Sequence, residues 1–233
     1  MLSIIIPVWQ EREHLPSLLH YLTTCPDLIP HAEIIVVSCE GDCRYDLPEI
    51  NPLVVRLVHC PNKGRAAQLN YGVATARGEV LYFLHADTFP PANFQNQIMD
   101  AKQAGYDCGS FYIHFDEPHF LLQFFSSFFR WDVPLMRFGD QSLFVSKELF
   151  GEIGGFREDH LVMEDQEIAW RLYRTGRFRL IPVPVLSSGR KFRKNGTIRL
   201  LMIFSLLYVM YYFRFPQKML VKMYSALIRG SNI

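Results

Sequence analysis

Four continuous apolar runs constrain the fold of this chain more than any other feature. They are rich in β-branched residues, which is typical of strands buried on both faces of a sheet. The runs are LSIIIPV (2–8), AEIIVVS (32–38), LVVRLVH (53–59) and EVLYFLHAD (79–87). Helical patterns over about 11–24 and over 62–78, the second closed by Gly78, alternate with them. We therefore predict an α/β fold with a mainly parallel central sheet flanked by helices.

The second half of the chain has a less regular pattern. Glu167 and Arg171 are four residues apart on a predicted helix that ends at Gly176. The predicted elements are an exposed strand at 108–116, a phenylalanine-rich helix at 118–131, a short strand at 140–146, the helix at 163–176, two strand-like pieces, FRLIPV and PVLSS, and the basic segment GRKFRKNG (189–196).

The C-terminal part of the chain is apolar and basic. Residues 198–213 form an apolar run that falls short of the roughly 20 residues a spanning helix requires. With residues 215–230 the run predicts a hairpin of helices, flanked by lysine and arginine, with aromatic residues as at a membrane interface. These helices contact a membrane surface, pack on the domain or form a dimer contact. We predict one domain over 1–196 and a helical extension over 197–233.

Composition narrows the class of protein. A length of 233 residues suits one domain with a sizeable core. Hydrophobic residues at 49% and charged residues at 20% indicate a globular protein and exclude disorder. A formal charge of +1 gives no global attraction for nucleic acid. From Arg171 onward, however, lysine and arginine outnumber acids, which predicts a basic tail.

The cysteines and the start of the chain indicate the compartment. The five cysteines form no CxxC pair and leave one over, so the sequence predicts neither a structural zinc site nor a disulfide framework. They are Cys25, Cys39, Cys43, Cys60 and Cys108. The first apolar run begins almost at Met1, without the regions of a secretory signal. We predict a cytoplasmic protein that contacts the inner membrane peripherally through its C-terminal helices, if at all.

Acidic and polar residues follow the predicted strands. Ligands of parallel α/β sheets bind beyond the carboxyl ends of the strands, so these residues form the predicted site. They are Glu11 after the first run, Ser38, Glu40 and Asp42 after the second, His85 and Asp87 at the end of the fourth, and later Asp140, Gln141, Glu164 and Asp165.

Asp87 has two interpretations. Taken alone, it resembles an Asx turn or the cap of a following PPANF helix. A carboxylate after a buried strand is equally suited to Mg²⁺ or Mn²⁺, which take one or two protein carboxylates and fill their shell with phosphate oxygens and water. His85 would face the same side as Asp87 if the strand continues that far. It is then a second metal ligand or a buried imidazole.

Two helical segments offer further candidates. Glu164 and Asp165 open a helix, where carboxylates either complement the helix dipole or serve as a general base. The segment GRAAQLNYG either forms an ordinary amphipathic helix or presents Arg65, Gln68 and Asn70 to a nucleotide or sugar.

Four motifs in order resemble the family 2 glycosyltransferases of GT-A (Rossmann-like) fold. They are IIIPVWQERE, NKGRAAQLNYGVATARGEVLYFLHADT, GDQSLFVSKELFGEIGGF and MEDQEIAWRL. The resemblance covers residues 2 to about 190 and is closest to a bacterial subgroup that carries GRAAQ-N-G and FLHADT in place of a full Asp-x-Asp. Each motif alone is weak, whereas four in this order and spacing are specific.

The resemblance implies a nucleotide-diphosphate sugar donor, with UDP-sugars favoured, an Mn²⁺ or Mg²⁺ ion, and inversion at the anomeric carbon. It implies an acceptor that bears a hydroxyl group. An apolar C-terminal hairpin would fit an acceptor that is linked to a lipid. Asp87 matches the metal-binding aspartate and Asp165 the base, with Glu164 beside it. The resemblance places Pro7, Glu11, Arg65 and Asn70 near the donor. We also predict that Gln68, Ala86, Asp140 and Gln141 bind the donor.

The chain departs from the family pattern at two positions. Ser38 stands where many members have an aspartate that reads the uracil and ribose, and Glu40 or Asp42 is available to compensate. His85 replaces the first acid of Asp-x-Asp, and as a metal ligand it would favour Mn²⁺. In GRKFR, Arg190 or Lys191 is either a phosphate ligand or an ordinary solvated charge.

The sequence therefore predicts an inverting glycosyltransferase with Asp165 as base. One alternative is a nucleotidyltransferase, which normally has a glycine-rich basic loop directly after the first strand, whereas this chain has PVWQEREHLP. The other is a nucleotide-sugar binding module at the membrane with impaired catalysis. His85 and Ser38 favour that alternative, and the retained Asp87 and Glu164–Asp165 oppose it.

Overall fold

The computed structural model describes residues 1–25, 32–42, 45, 55–137 and 139–229. Its strands are β1 (Leu2–Pro7), β2 (Ala32–Cys39), β3 (Val55–Cys60), β4 (Val80–Phe83), β5 (Thr88–Phe89), β6 (Cys108–Phe115), β7 (Leu143–Ser146) and β8 (Phe178–Ser187). Its helices are α1 (Leu15–Thr24), α2 (Arg65–Thr75), α3 (Phe94–Gln103), α4 (Phe120–Ser127), α5 (Lys147–Glu152), α6 (Glu164–Tyr173), α7 (Arg190–Asn195), α8 (Thr197–Tyr212) and α9 (Gln217–Leu227). The predicted residues Cys43, Leu53, Val54 and Gly230 lie outside the described ones.

The strands form one sheet in the order β3-β2-β1-β4-β7-β6-β8-β5. The first four of these strands are mutually parallel, with Ile5 opposite both Ile35 and Phe83. β7 runs antiparallel between β4 and β6, and β8 is parallel to β6. The predicted α/β class is confirmed, and the sheet is mixed because the second half of the chain adds antiparallel strands.

Two apolar layers cover the faces of the sheet. One contains the buried leucines of α1 with residues of α3 and α8, and the other contains residues of α2, α5 and α6. Gly72 lets α2 approach β1 closely, because a Cβ atom there would lie 2.5 Å from Ile5 Cγ2. The tight contact fixes α2, and therefore Arg65 at its start, against the strand that leads into the predicted site.

The fourth strand is shorter than predicted. β4 ends at Phe83, where its pairing with β1 and with β7 also ends. The N–H of Leu84 makes a last bond to the Ile5 carbonyl, at 3.0 Å, and the chain then turns, with the N–H of Thr88 donating to the His85 carbonyl at 3.1 Å. The expectation that His85 and Asp87 lie on a continuing strand is therefore wrong. The cap interpretation of Asp87 is also wrong, because Asn93 precedes α3.

Other predicted boundaries shift for equally local reasons. α1 begins at Leu15 instead of residue 11, and α2 ends at Thr75 before reaching Gly78. Gly78 instead lies against β1, where its N–H donates to Ser3 Oγ at 2.8 Å and a Cβ atom would lie 2.7 Å from the Met1 carbonyl oxygen. The pieces FRLIPV and PVLSS form the single strand β8.

The strand predicted to be exposed, β6, is largely buried because it lies between β7 and β8. On α6 the predicted pair is confirmed, since Arg171 Nη2 is 2.5 Å from Glu167 Oε2. The predicted stop is confirmed as well, since Gly176 has a φ of 72°.

The C-terminal helices pack on the rest of the protein. α8 contacts α9, α7 and α4. The indole N–H of Trp170 on α6 donates to the Tyr212 hydroxyl at 2.5 Å, and the Tyr208 hydroxyl donates to Gln166 Oε1 at 3.1 Å. Among the described residues, no helix combines the length and the hydropathy needed to cross a bilayer. Packing on the domain is confirmed, while contact with a membrane or a second subunit stays a prediction.

Candidate functional site

Most of the predicted ionisable residues converge at one edge of the sheet. The carboxyl ends of β1 and β4 lie there, as do the starts of α2, α6 and α7, because parallel strands deliver their C-terminal ends to a common edge. The residues linked there by ion pairs or close approach are Glu11, Arg65, His85, Asp87, Asp140, Glu164, Asp165 and Arg190. They form two groups, one around Asp165 and one around Asp87.

The first group is organised around Gly139. Asp165 accepts hydrogen bonds from the Gly139 N–H and, at 2.7 Å, from the Gln166 N–H. His85 Nδ1 lies 3.1 Å from Asp140 Oδ1. A Cβ atom on Gly139 would lie 2.9 Å from Asp165 Oδ2 and 3.0 Å from His85 Nε2. The glycine therefore lets the backbone pass between the imidazole and the carboxylate.

Asp165 is the carboxyl best suited to exchange a proton. Burial, followed by the neighbouring charge of Glu164, raises the pKa of Asp165 from 3.8 to about 6. Glu164 itself is buried and paired, with Oε1 accepting from Arg65 Nη1 at 2.9 Å. Although burial opposes its charge, Asp140 has a pKa well below its ordinary value because of the hydrogen bond to His85 and the electrostatic interaction with it. A carboxyl with a pKa near 6 accepts protons efficiently near neutral pH.

The raised pKa of Asp165 also predicts a pH dependence of stability. Between about pH 4 and pH 6 the folded state holds a proton that the unfolded chain has released, so this group's contribution to the unfolding free energy falls as pH rises. Asp165→Asn removes that dependence. Urea unfolding at several pH values across the window should show the stability difference moving in favour of the variant as pH rises. A difference that is constant, or that moves toward the wild type, would contradict the raised pKa.

The second group joins three parts of the chain through Arg190. Its Nη2 atom lies 2.8 Å from Glu11 Oε1 and 3.5 Å from Asp87 Oδ2. Beside it is an open cleft of about 440 Å³, within the range of small-ligand sites. The cleft is lined by Gln10, Glu11, Arg12, Glu13, His14 and Arg190.

Lys191 connects the two groups electrostatically. Burial works against its charge, yet Tyr224, Asp140 and Asp87 together hold the pKa of Lys191 above its ordinary value. The structure therefore brings both candidate cations of GRKFR, Arg190 and Lys191, to the acids of the site. A cation pair at the start of a short helix, facing carboxylates and a cleft, is suited to an anionic ligand.

The acids of the site are better suited to a metal ion that also binds a diphosphate than to a metal ion coordinated by protein groups alone. Within the described part of the chain, no three histidine, cysteine, aspartate or glutamate side chains form a metal cluster. A hard cation bound to a diphosphate needs only one or two protein carboxylates, and Asp87 offers one. The ring nitrogens of His85 approach Asp140 and Gly139. The donor set thus centres on Asp87, and joint ligation by His85 stays a prediction.

Four of the predicted donor residues make contacts inside the framework. The Gln68 amide donates to the Val8 and Val37 carbonyls, each at 2.8 Å, and ties α2 to the ends of β1 and β2. The remaining three are Asn70, bonded to the backbone of Phe156 at 2.9 and 3.0 Å, Ser38, with Oγ 3.1 Å from His59 Nδ1, and Gln141, which accepts from Arg137 Nη1 at 3.0 Å. The structure gives each a positioning contact and joins none of them to the acidic groups.

The other predicted residues lie at the ends of the strands. Pro7 closes β1, and Ala86 is buried between His85 and Asp87. Glu40 is exposed after β2. Asp42 accepts from the Gln10 N–H at 2.8 Å and thereby connects the loops that follow β1 and β2.

Two further residues, Arg137 and Gly139, shape the site and were not predicted from the sequence. Arg137 is buried and donates to Gln141 Oε1, to Ser110 Oγ at 3.3 Å and to the Phe129 carbonyl at 3.1 Å, which holds the segment before Gly139. No pattern in the sequence indicates it. Gly139 directly precedes Asp140 in the GDQ motif. A glycine at such a position indicates a close approach of the backbone to another group, and this was the signal that the sequence offered.

Comparison with known proteins gives a family match. The model of the family described as Glycosyl transferase family 2 matches residues 3–157 of the chain, which is well over half of it. The match spans β1 to β7 and includes Glu11, Arg65, His85, Asp87 and Asp140, whereas Asp165 and Arg190 lie beyond it.

Two curated relatives match part of the chain. Both are named undecaprenyl-phosphate 4-deoxy-4-formamido-L-arabinose transferase. The one from Aeromonas hydrophila is 30% identical over 115 residues, covering 46% of this chain and 35% of the relative. The one from Pseudomonas fluorescens is 32% identical over 112 residues, covering 45% and 33%. The matched segment thus spans about a third of each relative.

Solved structures share the fold. A mannosyltransferase from Pyrobaculum calidifontis in complex with GDP-Man and Mn²⁺ superposes with a TM-score of 0.64 at 19% identity, covering 97% of this chain and 69% of that one. S. aureus TarS 1-349 in complex with UDP gives 0.63 at 14% identity, covering 80% and 60%. At such identities the likeness concerns the fold alone, and it confirms the predicted GT-A architecture.

Proposed function

This chain belongs to glycosyl transferase family 2, and we propose that it is a glycosyltransferase that moves a sugar from a nucleotide-diphosphate donor to an acceptor hydroxyl with inversion. The single observation that carries the mechanism is Asp165, whose pKa is raised to about 6 at the edge of the sheet where ligands of α/β folds bind.

In the proposed reaction Asp165 takes the proton from the acceptor hydroxyl. The acceptor oxygen attacks the anomeric carbon as the bond from that carbon to the diphosphate breaks, and the electron pair of that bond leaves with the diphosphate. Direct displacement of this kind inverts the anomeric centre. Glu164 pairs with Arg65 beside the base, and its neighbouring charge helps to raise the pKa of Asp165.

The group around Asp87 is proposed to hold the donor. Asp87 would bind an Mn²⁺ or Mg²⁺ ion together with the diphosphate, and such an ion neutralises charge that develops on the departing group. Arg190 and Lys191 would bind phosphate oxygens, which requires Arg190 to exchange its present contacts with Glu11 and Asp87. The cleft that Glu11 lines has room for part of the nucleotide.

The acceptor is proposed to be lipid-linked. Both curated relatives are named for a sugar transfer involving undecaprenyl phosphate, and these names support the lipid part of the acceptor alone, because a phosphate is already ionised near neutral pH and gives Asp165 no hydroxyl to deprotonate. Here α8 packs on α6, the helix that begins with Glu164 and Asp165. We assign residues 1–196 to the sugar-transfer domain and residues 197–233 to a helical extension. A UDP-sugar is the proposed donor, and the subgroup defined by GRAAQ-N-G and FLHADT stays a prediction.

Thermal shift with a panel of nucleoside diphosphates tests the proposal. At a concentration about 100 times the dissociation constant, binding adds about 2.7 kcal/mol of stability. For a chain of this size this corresponds to roughly 5 to 10 °C in the melting temperature. We expect the largest shift with UDP and Mn²⁺ together, and a smaller one when the metal is chelated.

The matched control is the corresponding nucleoside monophosphate, which lacks the phosphate that Asp87 and Arg190 are proposed to share. No shift from any nucleoside diphosphate, with or without metal, would contradict the whole proposal. A shift without any turnover of the nucleotide-sugar would instead favour the binding module with impaired catalysis.

A further inference from the structure

The outer side of the C-terminal helices is apolar and unpartnered. The side chains of Met202 and Val209 on α8, and of Phe213 directly after it, follow one another at helical spacing and are 62%, 50% and 75% exposed. The α4 segment adds Phe120 and Trp131, and its rings form a row in which successive aromatic centroids lie 5.1 to 6.4 Å apart. We call these five residues, with Phe124, the apolar face.

The two parts of the apolar face lie on neighbouring elements. α4 contacts α8, and the Tyr208 hydroxyl on α8 donates to the carbonyl of Leu135, just beyond Trp131. Exposed apolar side chains that occur singly are ordinary, whereas a grouped set of this extent marks an interaction surface. The grouping therefore calls for a partner with an apolar interior.

The positive charge of the C-terminal segment indicates which partner binds the apolar face. From Arg190 to Arg229 the chain carries nine lysine and arginine residues and not one aspartate or glutamate. Arg193 is paired with Asp116 and Glu117, but in the described chain no ion pair involves Lys194, Arg214, Lys218 or Lys222. An exposed apolar helix side, flanked in the chain by exposed and unpaired cations, complements a bilayer that contains anionic lipids.

A second copy of the chain fits this surface poorly. A two-fold dimer places the same patch of both subunits together, so the basic border of one copy would face the basic border of the other. Like charges at such a contact oppose association, whereas anionic headgroups neutralise them. The described helices are also unable to span a bilayer, which leaves a position in the plane of the interface.

We propose that the apolar face on α4 and α8 docks this protein on the surface of an anionic bilayer, with the rings and the α8 stripe among the lipid chains and the lysines at the headgroups. Because α8 is bonded to α6 through Trp170 and Tyr212, docking holds Asp165 near the membrane. The value of that position for a lipid-linked acceptor rests on the proposed function. The docking itself rests on the surface alone.

Flotation with lipid vesicles tests the docking on the intact chain. Vesicles of phosphatidylcholine and phosphatidylglycerol, mixed roughly two to one, should bind the protein, and vesicles of phosphatidylcholine alone should bind it much less. The double change Met202→Gln with Val209→Gln should lower the partition coefficient at least tenfold, because it removes apolar surface from the lipid. Lys218→Gln with Lys222→Gln should lower it roughly tenfold or more and reduce its dependence on salt.

Leu57→Gln is the matched control, since Leu57 is 41% exposed on β3. This strand is at the end of the sheet away from β6, the strand that α4 contacts. Equal melting temperatures would show that all variants fold. Absence of binding to anionic vesicles, or an equal loss in the Leu57 control, would overturn the proposal. So would a wild-type dimer that the α8 changes separate without any vesicle binding. Donor-induced thermal shifts are read separately, so failure of docking and failure of sugar transfer are distinguishable.

Discussion

Asp165→Asn is expected to lower kcat for sugar transfer by roughly 10² to 10⁴, the range over which general-base catalysis contributes. The change keeps the size of the side chain but retains an oxygen for only one of the two N–H groups, those of Gly139 and Gln166, that bond separate oxygens of Asp165. It also removes the site that takes the acceptor proton. Initial rates at saturating donor measure the effect. Because the wild-type pKa of this group is about 6, the wild-type rate should also rise with pH through about 6 and then level off.

The matched control for this change is Asp159→Asn. Asp159 is an exposed carboxylate in the preceding loop, paired with Arg157, and its loss should leave kcat within about twofold, as is usual for surface positions. If Asp165→Asn kept full turnover, or if the variant retained the rise in rate near pH 6, the assignment of Asp165 as the base would be wrong.

Asp87→Asn is expected to lower kcat/KM by roughly 10² to 10³, the cost typical of removing one electrostatic contact to a reacting group. The amide retains one oxygen but loses the charge that would hold a divalent cation on the diphosphate. The change should also abolish the part of the UDP thermal shift that depends on Mn²⁺. Steady-state rates and melting temperatures with and without Mn²⁺ measure both effects.

Asp100→Asn provides the control for this second change, because Asp100 is an exposed acid on α3. The two site variants should behave differently, since Asp165→Asn keeps the metal-dependent shift and Asp87→Asn loses it. If the Asp87 variant retained the metal-dependent shift, the assignment of Asp87 to the donor site would be wrong. The assignment of Asp165 as the base would still stand.

The strands of the first half of the fold could be predicted because their signal is local. Runs such as IIIPV and IIVV are buried on both faces, so nearly every side chain is apolar and the pattern does not depend on the neighbouring strand. The end of β4 could not be predicted in this way, because it depends on where Ile5 and Leu143 cease to pair with it. Those partners are distant in the chain. The sequence therefore did not show that His85 and Asp87 lie beyond the end of β4, in the turn that follows it.

The candidate site shows the same division. Acids after strands could be identified because strand ends share an edge, and Glu11, Asp87 and Asp165 do come to one region. Sequence alone did not separate residues that face a ligand from residues that hold the framework. Gln68 belongs to the framework because two backbone carbonyls at the ends of β1 and β2 happen to lie within reach of its amide. Such contacts follow from tertiary packing, which produces no periodic pattern in the sequence.

The C-terminal helices illustrate a further limit. Their apolar composition fits a membrane surface and a protein core equally well, and the helices have both a buried and an exposed apolar side, since Leu200, Leu207 and Leu220 are fully buried while Met202 and Phe213 are exposed. The hydropathy of the segment does not reveal which side faces which environment, because that depends on the position of α4 and α6.

Release of nucleoside diphosphate from UDP-sugars in the presence of Mn²⁺ is the most direct test of metal-assisted sugar transfer at this site, because it needs only water as acceptor. We expect slow release by the wild type that depends on the metal, with the Asp87→Asn and Asp165→Asn variants near background and the Asp100 control unchanged. Release that is absent from every nucleotide-sugar, or that the Asp87 variant sustains at the wild-type rate, would contradict metal-assisted transfer at this site.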